Sequence, residues 1–299
     1  MELETSWDIA QAYTELASYR EHRSIWRPLL RHSGILVGGA IILVTLVIGV
    51  LAPVLAPTDP YLTNPPDRLL PPGTAGYILG TDELGRDLAS RLMYGARLSL
   101  AIGAVAALFA ASIGLAVGAV TGFLGGWFDI AIMRMVDVML SFPYILLAIV
   151  IVAIIGPGLR NTILAVAVLG IPYYVRLVRA EVLSIKERDY VMAARALGCS
   201  TTRIIFRTIM PNAVSPVITA FSLHVGWLIL EAAGLGFLGL GAQPPTAEWG
   251  AMLSQSRQYF TLAPHVVLLP GLCIFILVFG CNLFGEGLRD VLDPRLRMR

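Results

Sequence analysis

Residues 190–212 read YVMAARALGCSTTRIIFRTIMPN and form the one long polar interruption between strongly apolar blocks. Ala193, Ala194, Ala196 and Leu197 favour helix, Gly198 suits the left-handed turn that ends one, and Ser200 suits the cap of the next. The stretch therefore reads as helix, elbow, helix. The second helix, Thr201 to Ile209, sets Ile204, Ile205 and Ile209 against Arg203 and Arg207, and Pro211 marks the return to apolar sequence. Two short helices lying on a membrane surface make a rigid knob, and an ordinary cytosolic linker is the plainer reading of the same residues.

The blocks on either side decide the class. With 57% hydrophobic and 14% charged residues in 299, and a mean hydropathy of +0.75, the chain is too apolar for a soluble globular protein. An all-α, polytopic transmembrane bundle is expected. The three cysteines, Cys199, Cys273 and Cys281, form no CxxC pair and read as small apolar fillers. Lys186, the single lysine, follows Ile185 rather than glycine, so no Walker A phosphate loop is present. No HExxH or GxSxG motif occurs either, and an enzyme is not expected.

Taken in order, residues 1–33 form a tail in which Thr5 and Asp8 offer a capping box, followed by a first span over 34–56. Residues 57–97 make a Pro-rich external loop in which Asp82, Arg86 and Asp87 are placed to pair. The core, 98–287, opens with an uncharged run from Leu98 to Phe128 that carries Gly114, Gly118, Gly122 and Gly126 at steps of four. Such a face allows close helix packing, or a moving contact at a gate. A third span follows from about Val138 to Ile155, with Pro143 near its start, and a fourth from Asn161, its end protruding into the cytosol with Arg176 and Arg179 at the headgroups. The knob occupies 184–212, a fifth apolar segment runs from Ala213 to Gly241, a sixth from Pro264 to Phe284, and residues 288–299 form a tail. With both termini inside, sixteen basic residues lie in the cytosol against six outside, which favours that orientation.

Several stretches carry a family resemblance. Ala193-Ala194, Gly198 and Pro211 resemble the cytoplasmic EAA loop of bacterial ABC-importer permeases, with Met192 at the motif's acidic position and Thr208 and Met210 where the pattern has Ile and Leu. Leu79 to Leu100 (LGTDELGRDLASRLMYGARLSL), Gly241 to Gly250 (GAQPPTAEWG) and the run from Asn282 to Arg295 are similar to segments of dipeptide, oligopeptide, nickel and glutathione permeases. The resemblance implies a six-span permease of type I ABC importer architecture in the bacterial inner membrane. It implies four partners besides the lipid bilayer: a second homologous permease, two ATP-binding cassette subunits and an extracytoplasmic substrate-binding protein. ATP and Mg would be held by the cassette subunits, with no cofactor, metal or nucleic acid on this chain. Coupling to the cassettes would fall to Met192, Ala193, Ala194, Arg195, Gly198, Ser200, Arg203 and Pro211. The substrate implied is a di- or oligopeptide, with glutathione, nickel or another small ligand as the alternative.

His224, Trp227 and Glu231 share one face of the fifth segment, and an ionisable residue inside a span is a functional candidate. Glu231 reads equally as pathway lining or packing, and His224 more as packing. A proton-coupled secondary transporter using both is the rival class. It calls for inverted repeats with paired broken helices, and no convincing repeat is seen.

Overall fold

The protein is described by a computed structural model over residues 29–74 and 76–292. The expected helix around Thr5 and Asp8, the tail arginines used in counting charge, and Asp293, Pro294 and Arg295 lie outside these residues. Ten α-helices carry the description: α1 (Ser33–Leu55), α2 (Leu88–Leu124), α3 (Gly126–Ser141), α4 (Tyr144–Ile155), α5 (Leu159–Lys186), α6 (Asp189–Ala196), α7 (Thr201–Ile204), α8 (Met210–Phe237), α9 (Trp249–Ser256) and α10 (His265–Leu292). Among the described residues, five of them are long and apolar enough to cross a bilayer, and the count reaches six if α3 and α4 are taken as one bent span.

That bend replaces the straight third span. α3 and α4 meet at 96°, because Pro143 pushes Phe142 out of helical geometry (φ −93°, ψ 142°) and then starts α4. The second span also begins earlier than its uncharged run. Asp87 caps α2 by accepting from the Ser90 N–H at 2.8 Å and the Ser90 hydroxyl at 2.6 Å, so the helix enters from the loop. At 37 residues α2 is about 55 Å long, well beyond the roughly 30 Å hydrocarbon layer.

α2 and α5 run parallel and touch closely. A side chain at Gly114 would fall on Tyr174, one at Gly118 would meet the Val175 carbonyl and Val178 Cβ at 2.8 Å, and one at Gly122 would meet Val182 Cβ at 2.9 Å. The glycine face is therefore a packing face. Gly126 does not belong to it, since it stands at the turn into α3 with φ +64°. The same economy brings α1 onto α10, where a Cβ at Gly38 would lie 2.5 Å from the Gly280 carbonyl oxygen. Backbones approach this way because lipid offers no hydrophobic drive to hold helices together, leaving van der Waals contact to do it.

The loop before α2 folds over the end of the bundle around Asp82. Its carboxylate accepts from Arg86 Nε at 2.5 Å and from the backbone N–H groups of Leu84 and Arg86 at 2.9 Å, and pairs with Arg91 Nε at 3.2 Å. Arg86 also reaches Glu83 at 2.8 Å and Gln255 of α9 at 3.3 Å, while Arg91 donates to the Pro60 and Pro245 carbonyls at 3.0 and 3.4 Å. Burial, with Asp82 beside it, raises the Glu83 carboxyl above its usual range. Asp87 is thus a helix cap and not the third partner of Asp82 and Arg86. Glu248 completes the cap by accepting from Gly250 N, Ala251 N and the Ser99 hydroxyl at 2.9, 2.8 and 3.1 Å, and Trp249 donates to the Leu92 carbonyl at 3.0 Å. Two segments about 150 residues apart in sequence are locked together by these bonds.

Two outcomes follow for the folded protein in detergent. Gly118→Ala is expected to lower the thermal midpoint by the equivalent of about 1–3 kcal/mol of overpacking, whereas Gly271→Ala, whose Cβ meets only Leu253 Cδ2 at 3.9 Å, leaves it unchanged or raised. Arg86→Met removes the shorter of the two ion pairs of buried Asp82, leaving Arg91 at 3.2 Å, and is expected to cost about 3 kcal/mol, read as loss of monodisperse protein on size exclusion.

Candidate functional site

The knob is built as helix, elbow, helix. α6 ends in a Schellman turn: Gly198 takes φ +76°, its N–H donates to the Arg195 carbonyl at 2.9 Å, and the Cys199 N–H donates to the Ala194 carbonyl at 3.1 Å. The Ser200 hydroxyl then caps α7, accepting from the Arg203 N–H at 3.4 Å. Beyond Ile204 the expected single helix differs. Residues Ile205–Ile209 form a π turn, in which the Met210 N–H reaches back to the Ile205 carbonyl. Pro211, lacking an N–H, sits in the first turn of α8 directly after it, so the wide turn leads into a position where an ordinary helical bond is missing anyway.

Two sets of residues divide the labour. Val191, Ile204, Ile205 and Ile209 are buried against Val178, Val182 and Ile185 of α5, which bolts the knob to the bundle. Met192, Ala193, Arg195, Gly198, Ser200, Arg203, Phe206 and Pro211 are exposed, and Ala194 is half-buried. Leu197 stands out at 84% exposure. An apolar, small-residue surface facing away from the bundle suits a protein partner.

Contacts that the sequence did not reveal tie the knob to neighbouring helices. The Arg195 guanidinium lies 4.9 Å over the Phe123 ring at the end of α2, and Lys186 Nζ donates to the Gly122 carbonyl at 3.4 Å. Arg176 and Arg179 both have acidic partners on α3. Arg179 clasps Asp129 of α3 through two bonds of 2.6 Å, and Arg176 reaches Asp137 at 2.5 Å. Both acids and both arginines line an open cleft with Ile130, Met133 and Arg134.

A second group sits where α4, α5 and α8 converge beside the bend. His224 is buried among rings, with Tyr173 at 4.8 Å, Tyr174 edge-on at 5.0 Å and Trp227 stacked at 5.1 Å. Tyr144 meets Trp227 edge-on at 4.3 Å and donates its hydroxyl to the Val166 carbonyl at 2.9 Å. His224 is thus packed among rings and only 8% exposed. Glu231, one turn further along α8, is half-buried. Tyr144 and Tyr173 were missed because nothing in a single sequence relates three helices so far apart, although Tyr173 and Tyr174 directly after Pro172 are unusual inside a span. Among the described residues, no group of three or more His, Cys, Asp or Glu is placed to hold a metal.

The described residues form a polytopic helical bundle with a bolted knob at one end and a hydrogen-bonded cap at the other. Residues 110–298 match the family of binding-protein-dependent transport system inner membrane components, and residues 22–72 match the N-terminal TM domain of oligopeptide transport permease C. The chain belongs to this permease family and is a multi-pass inner-membrane protein. It is 46% identical over 285 residues to the dipeptide transport system permease protein DppC of Alkalihalophilus pseudofirmus, covering 95% of this chain and 92% of that one. It is 44% identical over 275 residues to the glutathione transport system permease protein GsiD of Pectobacterium atrosepticum, covering 92% and 91%. Among solved structures, an inward-facing conformation of the MetNI methionine ABC transporter superposes with a TM-score of 0.53 at 25% identity, over 66% of this chain and 94% of that one.

Gly198→Val forces a β-branched residue into φ +76° at a cost of about 1–2 kcal/mol. Hydrogen exchange at the amides of Gly198, Cys199 and Ile204 is expected to speed up by roughly tenfold or more, while the α2 amides keep their protection.

Proposed function

We propose that this chain is the transmembrane subunit of an ATP-driven importer and forms half of a pathway for di- or oligopeptides. A second, homologous permease supplies the other half, two ATP-binding cassette subunits bind ATP and Mg, and an external binding protein delivers the substrate. The chain itself transmits work and performs no chemistry. Both termini and the knob face the cytosol.

One observation carries this reading: an exposed surface of small and apolar residues, Met192, Ala193 and Leu197, rides on a rigid elbow bolted into α5. Ala194, Arg195, Gly198, Ser200, Arg203 and Pro211 shape or border the same surface, which fits a cleft in a cassette subunit. Cassette closure pushes on the knob, the push passes through Ile204 and Ile209 into α5 and through Arg195 into α2, and the spans rock between inward-open and outward-open. Such a cycle requires ATP to bind the two states with different affinity. The relatives support a peptide cargo: a dipeptide permease and a glutathione permease share more than two fifths of the residues. Glutathione, itself a short peptide, is the second reading of the cargo.

Affinity purification of this chain in mild detergent is expected to recover a second permease and cassette subunits, and recovery of the chain alone would count against the assembly. In the reassembled transporter, Gly198→Val is expected to reduce uptake per ATP hydrolysed by roughly tenfold with normal membrane insertion. Unchanged uptake would remove the elbow from the coupling route.

A further inference from the structure

α3 is shallowly embedded in the bundle. Of its sixteen residues only Asp129 and Val136 are buried, and Trp127, Ile130, Met135, Val138 and Leu140 stand exposed. Its main packing partners among the described residues are α2, from which it turns, and α5. Both of its ends are joints. Gly125 and Gly126 open it with φ +65° and +64°, and a Cβ at either would meet nothing within 4 Å, so no neighbour braces that turn. At the other end Phe142 and Pro143 lead the chain through 96° into α4.

Charge ties α3 to α5. Asp129 and Asp137 are eight residues apart, two turns, and so share one face. Arg179 grips Asp129 through two bonds of 2.6 Å, Lys186 adds a second positive charge near that carboxylate, and Arg176 reaches Asp137 at 2.5 Å. The Arg179 side chain is 30% exposed and that of Asp129 11%, whereas Arg86 and Asp82 in the cap are 2% and 4% exposed. The cap pair cannot part without leaving a dry charge behind, but water can reach the Asp129 pair as it opens. The Arg176 pair is exposed on both sides and holds less. Beside these residues a cleft of about 540 Å³ lies unfilled, and Arg134, which enters neither pair, lines it as well.

Joint and clasp both lie next to the knob. Lys186 and Arg195 reach Gly122 and Phe123, just before the Gly125–Gly126 turn, and Arg179 adjoins Val178, against which the knob is packed. A displacement of the knob is therefore applied beside one joint and beside the main ion pair.

We infer that α3 is a hinged strut latched to α5 by Arg179 and Asp129, with Arg176 and Asp137 as a lighter catch, and that the latch opens and closes during the transport cycle. Arg179 is then a positioning residue for the bent span. This rests on the importer reading above and adds to it the element that changes place between the two states.

The test uses the complete transporter in lipid nanodiscs, with Cys199, Cys273 and Cys281 replaced by alanine and spin labels on Met135→Cys and Ser184→Cys, both exposed positions. Distances are read by pulsed electron paramagnetic resonance without nucleotide and with a non-hydrolysable ATP analogue. One condition is expected to give the separation of this structure and the other a separation longer by about 5 Å or more. Arg179→Gln is expected to make the two distributions alike and to cut uptake of the dipeptide Ala-Ala per ATP hydrolysed about tenfold. Exchanging the charges, Asp129→Arg with Arg179→Asp, is expected to restore both, which a packing role alone would not produce, and Arg134→Gln to leave both unchanged. The inference is overturned by equal distances in the two conditions for the otherwise unmodified transporter, by a nucleotide-dependent distance that survives Arg179→Gln, or by an assembled exchange variant that restores neither property. ATP hydrolysis by the co-purified cassette subunits is measured on each sample. Its absence from the otherwise unmodified transporter counts against the importer reading, independently of the distances.

Discussion

The contact between α2 and α5 is the constraint on which the rest depends. With Gly114, Gly118 and Gly122 under Tyr174, Val178 and Val182, the two backbones come as close as helices can, and everything else takes its place relative to that pair. The lower half of α5 receives the knob, the lower end of α2 receives Arg195 and Lys186, and the upper end of α2 receives the loop and α9. A methyl group on one glycine would therefore be felt at both ends of the molecule.

Much of this was legible without coordinates. The elbow could be read because Gly198 and Ser200 act locally, through a left-handed turn and a hydroxyl cap that need no distant partner. The spans could be read because length and hydropathy are properties of the segment itself. What escaped was everything set by a partner far away in sequence. The pairing of Arg176 and Arg179 with Asp137 and Asp129 was not foreseen, because the acids stand some 40 to 50 positions earlier and nothing in a single sequence couples them. Pro143 was seen but its effect was underestimated: a proline at a span's edge ends a helix, whereas here it separates two that differ in direction by 96°. Gly126 fitted a periodic face that the chain had already left at Gly125. The ring column of Tyr173, His224 and Trp227 joins two helices, so only half of it could be suspected from the fifth segment.

The polar groups follow a common rule despite their different settings. Asp82 and Arg86 are buried and paired, Arg91 is buried with hydrogen bonds from Nη1 alone, and Glu248 is satisfied by two backbone donors and a hydroxyl even as burial pushes its carboxyl above the usual range. Glu231 differs from all of these. It is half-buried and lies inside the membrane-crossing stretch Pro216–Phe237.

α2 has one further property of mechanical interest. It is an unbroken rod with no proline, rooted in the cap at Asp87 and reaching the knob at Phe123, so it spans the bundle from one end to the other. A tilt of about 10° would swing each end of a rod roughly 55 Å long by about 5 Å in opposite directions. A rigid rod of this kind would carry a displacement at one end of the bundle to the other.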